Sequence, residues 1–228
     1  MGVSERRERE KSARRKMIMD CARELILNHG VERVSMSEIA KKTELSKATL
    51  YLYFPSKEDL FNEICENSAN VFIESAMPRL EGGISGLEAL KRYWSTYLEV
   101  FGNSDEMIIL FNLRRFLFPS LPFDSGKESS STAVRYTYLF FNLIKGMIEQ
   151  GISENYFDAG TDSDVVTRTV LSLFSYIVEN AAKLPKDERT SSVVIEEMRN
   201  VFQIILRGIA REGIDRSIFD LPVSITAS

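Results

Sequence analysis

The stretch VSMSEIAKKTELSKATLYLYFPSKEDLF, residues 34–61, decides the fold of this chain. Its first helix signal is a capping box, in which Ser35 stands three residues before Glu38. The serine side chain and the glutamate side chain each satisfy a backbone N–H group that the start of a helix leaves without a partner. The pattern therefore predicts a short helix over about residues 36–43.

A second short helix is predicted after a tight turn at residues 44–45. Ser46 is a preferred N-cap residue, so we expect this helix to cover residues 47–53, and Pro55 ends it. Two short helices joined by a tight turn form a helix-turn-helix unit. A third, longer helix is predicted over residues 56–77.

The second helix of this unit has the features of a helix that reads DNA. It is too short for a core element, yet it carries hydroxyl, ammonium and phenol groups that hydrogen-bond to phosphates and base edges. A helix of this kind fits the major groove. The side chains concerned are those of Ser46, Lys47, Thr49, Tyr51 and Tyr53.

Residues 10–65 resemble the DNA-binding domain of tetracycline-repressor-type (TetR-like) transcriptional regulators, above all in SKATLYLYF followed by PSKEDL. The resemblance implies an all-α protein with an N-terminal helix-turn-helix DNA-binding domain and a larger C-terminal helical domain for ligand binding and dimerisation. We expect the first domain, a basic arm and three helices, to span residues 1–60. The second domain then spans residues 61–228, and the helix over 56–77 connects the two.

The resemblance also implies roles for single residues. Ser35 stands where the family binds a phosphate through a hydroxyl and a backbone N–H, and Lys57 stands where a lysine clamps a phosphate. The start of the second short helix faces the major groove. Tyr51 and Tyr53 touch the DNA backbone or base edges, or else pack in the core. The predicted DNA-binding residues are Arg14, Ser35, Ser46, Lys47, Ala48, Thr49, Tyr51, Tyr53 and Lys57.

Three positions depart from the family pattern. Glu44 stands where the family often has a glycine in the turn, and a left-handed glutamate costs about 1 kcal/mol. Ala48 also replaces a frequent glycine, and its methyl group can meet a thymine methyl. Leu52 stands where the family has a polar or aromatic residue. These departures leave the operator sequence open.

Composition argues against several kinds of chemistry. The 228 residues include one histidine and two cysteines, so we expect no zinc site, no disulfide framework and no cofactor. We can place no paired carboxylates and no phosphate loop, so we do not expect an enzyme. The net charge is −4, but the first 60 residues carry 13 Lys and Arg against 10 Asp and Glu, which suits a DNA-binding domain. With neither a signal peptide nor an apolar membrane segment in view, we expect a cytoplasmic bacterial protein.

The rest of the chain also has helical periods. Pro78 and the glycine-rich stretch 81–86 are expected to separate the two domains, and residues 120–131 are expected to form a loop. Gly151 is expected to end the helix that follows this loop. The helices predicted after the loop run over about residues 130–150, 162–184 and 191–211.

The last two predicted helices are apolar over more than one face, which a surface helix of a monomer does not need. The surplus face predicts a four-helix bundle made from two chains, and paired half-sites on DNA require such a dimer as well. The alternative is that the same chain covers both faces. The predicted interface residues are Phe174, Ala181, Met198, Phe202, Ile205 and Gly208.

Aromatic residues on three helices of the second domain are expected to line a pocket for a small hydrophobic or amphipathic effector. Arg115, or its neighbour Arg114, would place a positive charge there. The alternative is that these arginines form salt bridges to other helices. The predicted lining is Trp94, Tyr97, Phe111, Arg115, Phe118, Tyr138 and Phe141.

Together these features predict a homodimeric regulator that represses from a palindromic operator until its effector binds. The alternative is a helix-turn-helix regulator without a small-molecule effector, which acts as an activator or through a protein partner. A cavity lined by aromatic residues in the second domain would favour the first of these two functions.

Overall fold

The computed structural model describes residues 3–102, 109, 113, 116–117, 132–183 and 191–221. Over these residues the regular elements are helices, and one isolated bridge pairs Phe157 with Ala210. The all-α class, with an N-terminal helix-turn-helix domain and a larger C-terminal helical domain, is confirmed. The loop predicted over residues 120–131 lies outside the described residues.

The helices have the following bounds, and two short 3-10 turns accompany them at Val31–Arg33 and Arg216–Phe219. They are α1 (Val3–His29), α2 (Met36–Lys42), α3 (Lys47–Tyr53), α4 (Lys57–Leu80), α5 (Gly86–Gly102), α6 (Thr132–Ser153), α7 (Ser163–Lys183) and α8 (Ser191–Gly208).

Helix α1 includes the basic segment that we expected to precede or open it. Within this segment Arg6 Nε donates to Glu10 Oε1 at 2.8 Å, one turn further along the helix. The helix ends at His29, and Gly30 follows with a φ of 79°, which suits glycine because it has no Cβ atom. Gly30, with this positive φ, therefore marks the end of α1.

The turn between α2 and α3 has the strained residue that the sequence predicted. Glu44 has a φ of 56°, in the left-handed region. Hydrogen bonds on its two sides hold the turn closed: Leu45 N donates to Ala40 O at 2.9 Å, and Thr43 Oγ1 donates to Ile39 O at 2.7 Å. These bonds offset the backbone cost and fix the angle between the two helices.

An N-terminal core is formed by α1, α2, α3 and the first half of α4. It also takes in two buried residues from much later in the chain, Ile109 and Leu113, with Phe116 and Leu117 packed against it. The N-terminal core therefore also includes residues beyond position 60, and the predicted domain boundary between residues 60 and 61 stays a prediction. The largest buried side chains of this core from α1 to α4 are those of Ile18, Ile39, Leu50, Phe54, Leu60, Phe61 and Ile64.

A C-terminal core is formed by the second half of α4, by α5 to α8 and by the turn at 216–219. Helix α4 belongs to both cores, because Cys65 lies in the first and Phe72 in the second. Pro78 lies inside α4, near its C-terminal end, and not between the domains. That part of the prediction was wrong: Pro78 removes one backbone hydrogen bond, and α4 continues through it to Leu80.

The prediction that Gly151 ends a helix was also wrong. Gly151 is a buried residue inside α6, and a Cβ atom built on it would lie 2.4 Å from the ring of Phe157. A glycine is needed there for close packing and not for a helix stop. The chain turns instead at Asn155, which has a φ of 64°.

Candidate nucleic-acid interface and effector region

Helix α3 presents one continuous exposed face. Leu50 is 0% exposed and anchors the opposite side in the N-terminal core, whereas Lys47, Ala48, Tyr51 and Leu52 are exposed. Residues four apart on a helix lie above one another, so these four side chains form one strip. The strip combines a cation and a phenol, which bind phosphates and base edges, with apolar groups that can contact thymine methyls.

Leu52 is the member of this strip that sequence analysis does not place among the DNA-binding residues. Its side chain is 82% exposed, the largest exposed fraction among the exposed large apolar residues of the described chain. The signal that could have found it is its spacing of one helical turn from Ala48. An apolar side chain fully in solvent on this face has a physical use if it packs against a base.

The N-cap of α3 forms as predicted. Thr49 N donates to Ser46 Oγ at 3.0 Å, and the two hydroxyl groups are 2.7 Å apart. Thr49 is half-buried as a result. Tyr53 is also half-buried and packs against the N-terminal core, whereas Tyr51 is 47% exposed. The core-packing alternative therefore describes Tyr53 better than it describes Tyr51.

Ser35 has both of its hydrogen-bond donors engaged within the chain. Its backbone N and its Oγ donate to Glu38 Oε2 at 2.9 Å and 2.8 Å, and its Oγ accepts from Glu38 N at 3.2 Å. These hydrogen bonds hold the pKa of Glu38 below its ordinary value. The capping box is thus complete, and a phosphate at this position has to compete with the Glu38 carboxylate.

Lys57 does not point outward as a free phosphate clamp would. Its Nζ donates to Val31 O at 3.2 Å and lies 5.1 Å from the ring centre of Phe61 and 4.5 Å from that of Phe116. Burial lowers the pKa of this half-buried ammonium. Carbonyl and ring contacts hold the group against the N-terminal core, so a phosphate at Lys57 has to compete with these contacts, and its role as a phosphate clamp stays a prediction. On α1, by contrast, Arg14 is exposed.

Part of the predicted effector set is brought together in the C-terminal core. Trp94 is 3% exposed, and its ring centre lies 4.2 Å from that of Phe174 and 5.0 Å from that of Phe202. Tyr97 is also buried, and its ring centre lies 5.4 Å from that of Trp94. Tyr93, which is not among the predicted residues, is buried in the same cluster, and this burial raises the pKa of its phenol.

The remaining described members of the predicted effector set lie on α6. On α6, Phe141 is buried and Tyr138 is half-buried. Phe140, next to Phe141 on α6, contacts this aromatic cluster through Phe72, since the two ring centres lie 5.5 Å apart. The other candidates, Phe111, Arg114, Arg115 and Phe118, lie outside the described residues.

Most residues predicted at a dimer interface are buried inside the protomer. Phe174, Ala181, Met198 and Phe202 all belong to the C-terminal core, so they are not available to a second chain. This corrects the assignment of these four residues, because Trp94 of α5 contacts Phe174 on α7 and Phe202 on α8 inside the protomer. Of the other two predicted residues, Ile205 is half-buried and Gly208 is exposed. Among the described residues of these two helices, the exposed large apolar side chains are those of Val165, Leu173, Tyr176 and Ile204.

Two features are absent from the residues that the structure describes. No group of three or more His, Cys, Asp or Glu residues is placed there to hold a metal ion. None of the helices in the described ranges is both long and apolar enough to cross a membrane.

A capped short helix with an exposed polar and apolar face, held at a fixed angle to a second short helix, defines a helix-turn-helix DNA-binding protein. Comparison with known proteins agrees. Residues 18–64 match the family model described as bacterial regulatory proteins, tetR family. These residues therefore form a DNA-binding domain of the tetR type, and the chain resembles TetR-like transcriptional regulators.

Relatives extend the similarity beyond the DNA-binding domain. The chain is 25% identical over 179 residues to the uncharacterized HTH-type transcriptional regulator YvdT of Bacillus subtilis. The matched region covers 77% of this chain and 84% of YvdT. The chain is also 20% identical over 201 residues to the fatty acid metabolism regulator protein of the same organism, covering 88% and 98%. The crystal structure of AibR in complex with isovaleryl coenzyme A and operator DNA has a TM-score of 0.60 at 22% identity, covering 81% and 95%.

Proposed function

We propose that this protein is a ligand-relieved repressor that binds a palindromic operator as a homodimer in the cytoplasm. The observation that carries the proposal is the path of helix α4. It contributes Phe61 and Ile64 to the N-terminal core and Phe72 and Ala76 to the C-terminal core. A change in packing around Phe72 therefore acts on the same rigid helix that supports the DNA-binding domain, which is what coupling between two sites requires.

The proposed DNA contacts centre on the exposed strip of α3, formed by Lys47, Ala48, Tyr51 and Leu52. Arg14 and Ser46 lie exposed in the same domain and complete the set with Thr49 and Tyr53 at its edge. Ser35 and Lys57 take part only if they exchange contacts within the chain for contacts with phosphates. Two such strips, one from each protomer, would reach half-sites about one helical turn, ~34 Å, apart.

The proposed effector is a small hydrophobic or amphipathic molecule that binds beside the cluster of Trp94, Tyr93, Tyr97 and Phe174. A cluster rich in aromatic side chains with two phenol groups suits an apolar body with a polar end. The names of two similar proteins, a fatty acid metabolism regulator and a regulator crystallised with isovaleryl coenzyme A, support an acyl compound as the first class to test.

The proposed dimer uses the faces of α7 and α8 that the C-terminal core leaves exposed. Tyr176 is 64% exposed and Ile204 is 68% exposed, and Leu173 lies three residues before Tyr176 on α7. Large apolar side chains grouped on the outside of adjacent helices are typical of a helical dimer interface.

The DNA-binding part of the proposal is tested by selection of duplexes from a random-sequence library with the wild-type protein. The selected duplex should be palindromic, and Lys47→Ala should weaken its binding by about 1–3 kcal/mol in an anisotropy titration. The matched control is Arg211→Ala, which removes an exposed cation far along the chain after α8 and should leave the affinity unchanged. Failure to select any sequence would contradict the proposal.

The effector part is tested with the single tryptophan as the probe. Because Trp94 is buried in the cluster, a series of fatty acyl coenzyme A thioesters and free fatty acids that bind there should shift or quench its emission. Each compound that does so should also release the selected duplex. If binders leave DNA affinity unchanged, effector-relieved repression is contradicted and the regulator without a small-molecule effector becomes the better description.

A further inference from the structure

Arg15 of α1 joins three separate elements of the DNA-binding domain. Its Nε donates to both carboxylate oxygens of Glu63 on α4, at 2.7 Å and 2.9 Å, and its Nη2 also donates to Glu63 Oε2. Its Nη1 donates to the backbone oxygen of Tyr53 at 2.6 Å. The guanidinium carbon lies 4.2 Å from the ring centre of Phe54.

The contact with Tyr53 matters because of its place in the recognition helix. Tyr53 is the last residue of α3, and the carbonyl groups at the end of a helix have no partner within it. A cation there also complements the partial negative charge at the C-terminal end of the helix. A helix of seven residues is barely stable by itself, so its orientation depends on the contacts that it makes with its neighbours, including those at its ends.

The contact with Glu63 fixes the orientation of the guanidinium group. An arginine can bind a carboxylate with two N–H groups and still direct another N–H to a third acceptor, which a lysine ammonium cannot do with the same planar geometry. The Glu63 hydrogen bond raises the pKa of Arg15 and thereby favours its charged form. The end of α3 is thus attached to α4 through one charged, planar group.

We propose that Arg15 is a positioning residue that holds the recognition helix α3 in register with the connecting helix α4, through Tyr53 O on one side and Glu63 on the other. Arg15 itself does not need to touch DNA in this role. The inference rests on the proposed DNA-binding function of α3. It names the group through which a movement of α4 reaches the side chains that read the operator.

The test compares two affinities for each variant: that for the duplex selected by the wild-type protein and that for the unselected random pool. Arg15→Met keeps the apolar stem but removes the hydrogen-bond donors. It should weaken binding to the selected duplex about tenfold or more, as the loss of a well-placed base contact does. Binding to the pool should change much less, because exposed cations such as Lys47 still meet phosphates.

The matched control is Arg23→Met on the same helix. Arg23 lies about two helical turns along α1 from Arg15, and its Nη2 donates to Ser68 Oγ on α4 at 3.4 Å. Arg23→Met should therefore keep the ratio of the two affinities at the wild-type value, even if it lowers thermal stability. Titration of each variant with excess selected duplex gives the fraction of protein that can bind DNA. This fraction separates a loss of folded protein from a change in the ratio of the two affinities.

A second variant covers the case in which Arg15→Met does not fold. The exchange Arg15→Glu with Glu63→Arg keeps an ion pair between α1 and α4 but leaves Tyr53 O without the Arg15 donor. It should fold and still lose the preference for the selected duplex, whereas Arg15→Lys should retain part of it.

A wild-type ratio in both Arg15→Met and the exchange variant would overturn the inference while the proposed function stands. If the wild-type protein selects no duplex at all, the proposed function fails and the inference fails with it.

Discussion

The ammonium group of Lys57 lies 4.5 Å from the ring centre of Phe116, although the two residues come from different parts of the chain. Lys57 is the first residue of α4, and the ring of Phe116 packs edge-on to Phe61 with the centres 5.4 Å apart. Together with buried Ile109 and Leu113, Phe116 attaches a segment of the larger domain directly to the DNA-binding domain. The two domains therefore meet here as well as along α4.

This contact should be measurable as a coupling free energy. In a double-mutant cycle of Lys57→Met and Phe116→Leu, the two changes should interact by about 0.5–2 kcal/mol, the range of a cation held over an aromatic ring. The measurement is urea unfolding followed by circular dichroism. Additive effects of the two changes would show that the ammonium gains nothing from the ring.

The same substitution at two leucines of α3 should affect two different properties, the stability of the fold and the affinity for DNA. Leu50 is 0% exposed, so Leu50→Ala should lower the free energy of unfolding by about 2–5 kcal/mol. Leu52 is 82% exposed, so Leu52→Ala should change stability by no more than about 0.5 kcal/mol and instead weaken binding to the selected duplex. Unfolding by urea and DNA titration of both variants test this. A Leu52→Ala protein with unaltered DNA binding would remove Leu52 from the interface.

Two neighbouring residues of α8 separate dimerisation from folding. Ile204 is 68% exposed, whereas Phe202 is 2% exposed and contacts Trp94. Ile204→Glu should therefore give a folded monomer, because it charges only the proposed interface. Phe202→Glu should instead unfold the C-terminal core, because it buries a carboxylate without a partner. Light scattering after gel filtration gives the masses. Equal masses for the wild-type protein and Ile204→Glu would contradict an interface at this residue.

Acid should weaken the N-terminal cap of α2. Hydrogen bonds from the Ser35 side chain and backbone lower the pKa of Glu38 below 4.5 in the folded protein. The unfolded chain then takes up the proton first as pH falls, so the stability from this contact is present above pH 4.5 and is lost below it.

Glu38→Gln should accordingly be less stable than the wild-type protein at neutral pH and lose less stability between about pH 5 and 3. Urea unfolding across this range measures the difference. The matched control is Glu8→Gln on the exposed surface of α1, which should follow the wild-type curve. A Glu38→Gln curve parallel to that of the wild type would contradict the assignment.

The helix starts and the turn of the DNA-binding domain could be predicted from the sequence. Ser35 with Glu38, Ser46 with Thr49, and Ser56 with Asp59 all form the caps that their spacing indicates. These contacts involve residues within one helical turn, so local sequence specifies both partners. Glu44 is left-handed for the same reason, since a turn of this length requires a residue with positive φ.

Long-range partners could not be predicted in this way. The periodicity of α8 predicts that both Phe202 and Ile205 are buried, but it does not show against what. Only the position of α5 determines that Phe202 contacts Trp94 inside the protomer. Gly151 similarly has the sequence of a helix stop, and the nearby ring of Phe157 makes it a packing glycine. Periodicity shows that a face is buried and does not show which element buries it.

The sequence by itself determined the all-α class, the helix-turn-helix unit and the residue types of the recognition helix, because each depends on neighbours within a few residues. Only the tertiary structure decided that Lys57 turns towards Phe116 and that Arg15 joins the end of α3 to Glu63. A charged side chain has many acceptors of equal chemistry along a chain. Its partner is selected by the packing of distant helices, which brings one acceptor within hydrogen-bond distance and removes the others.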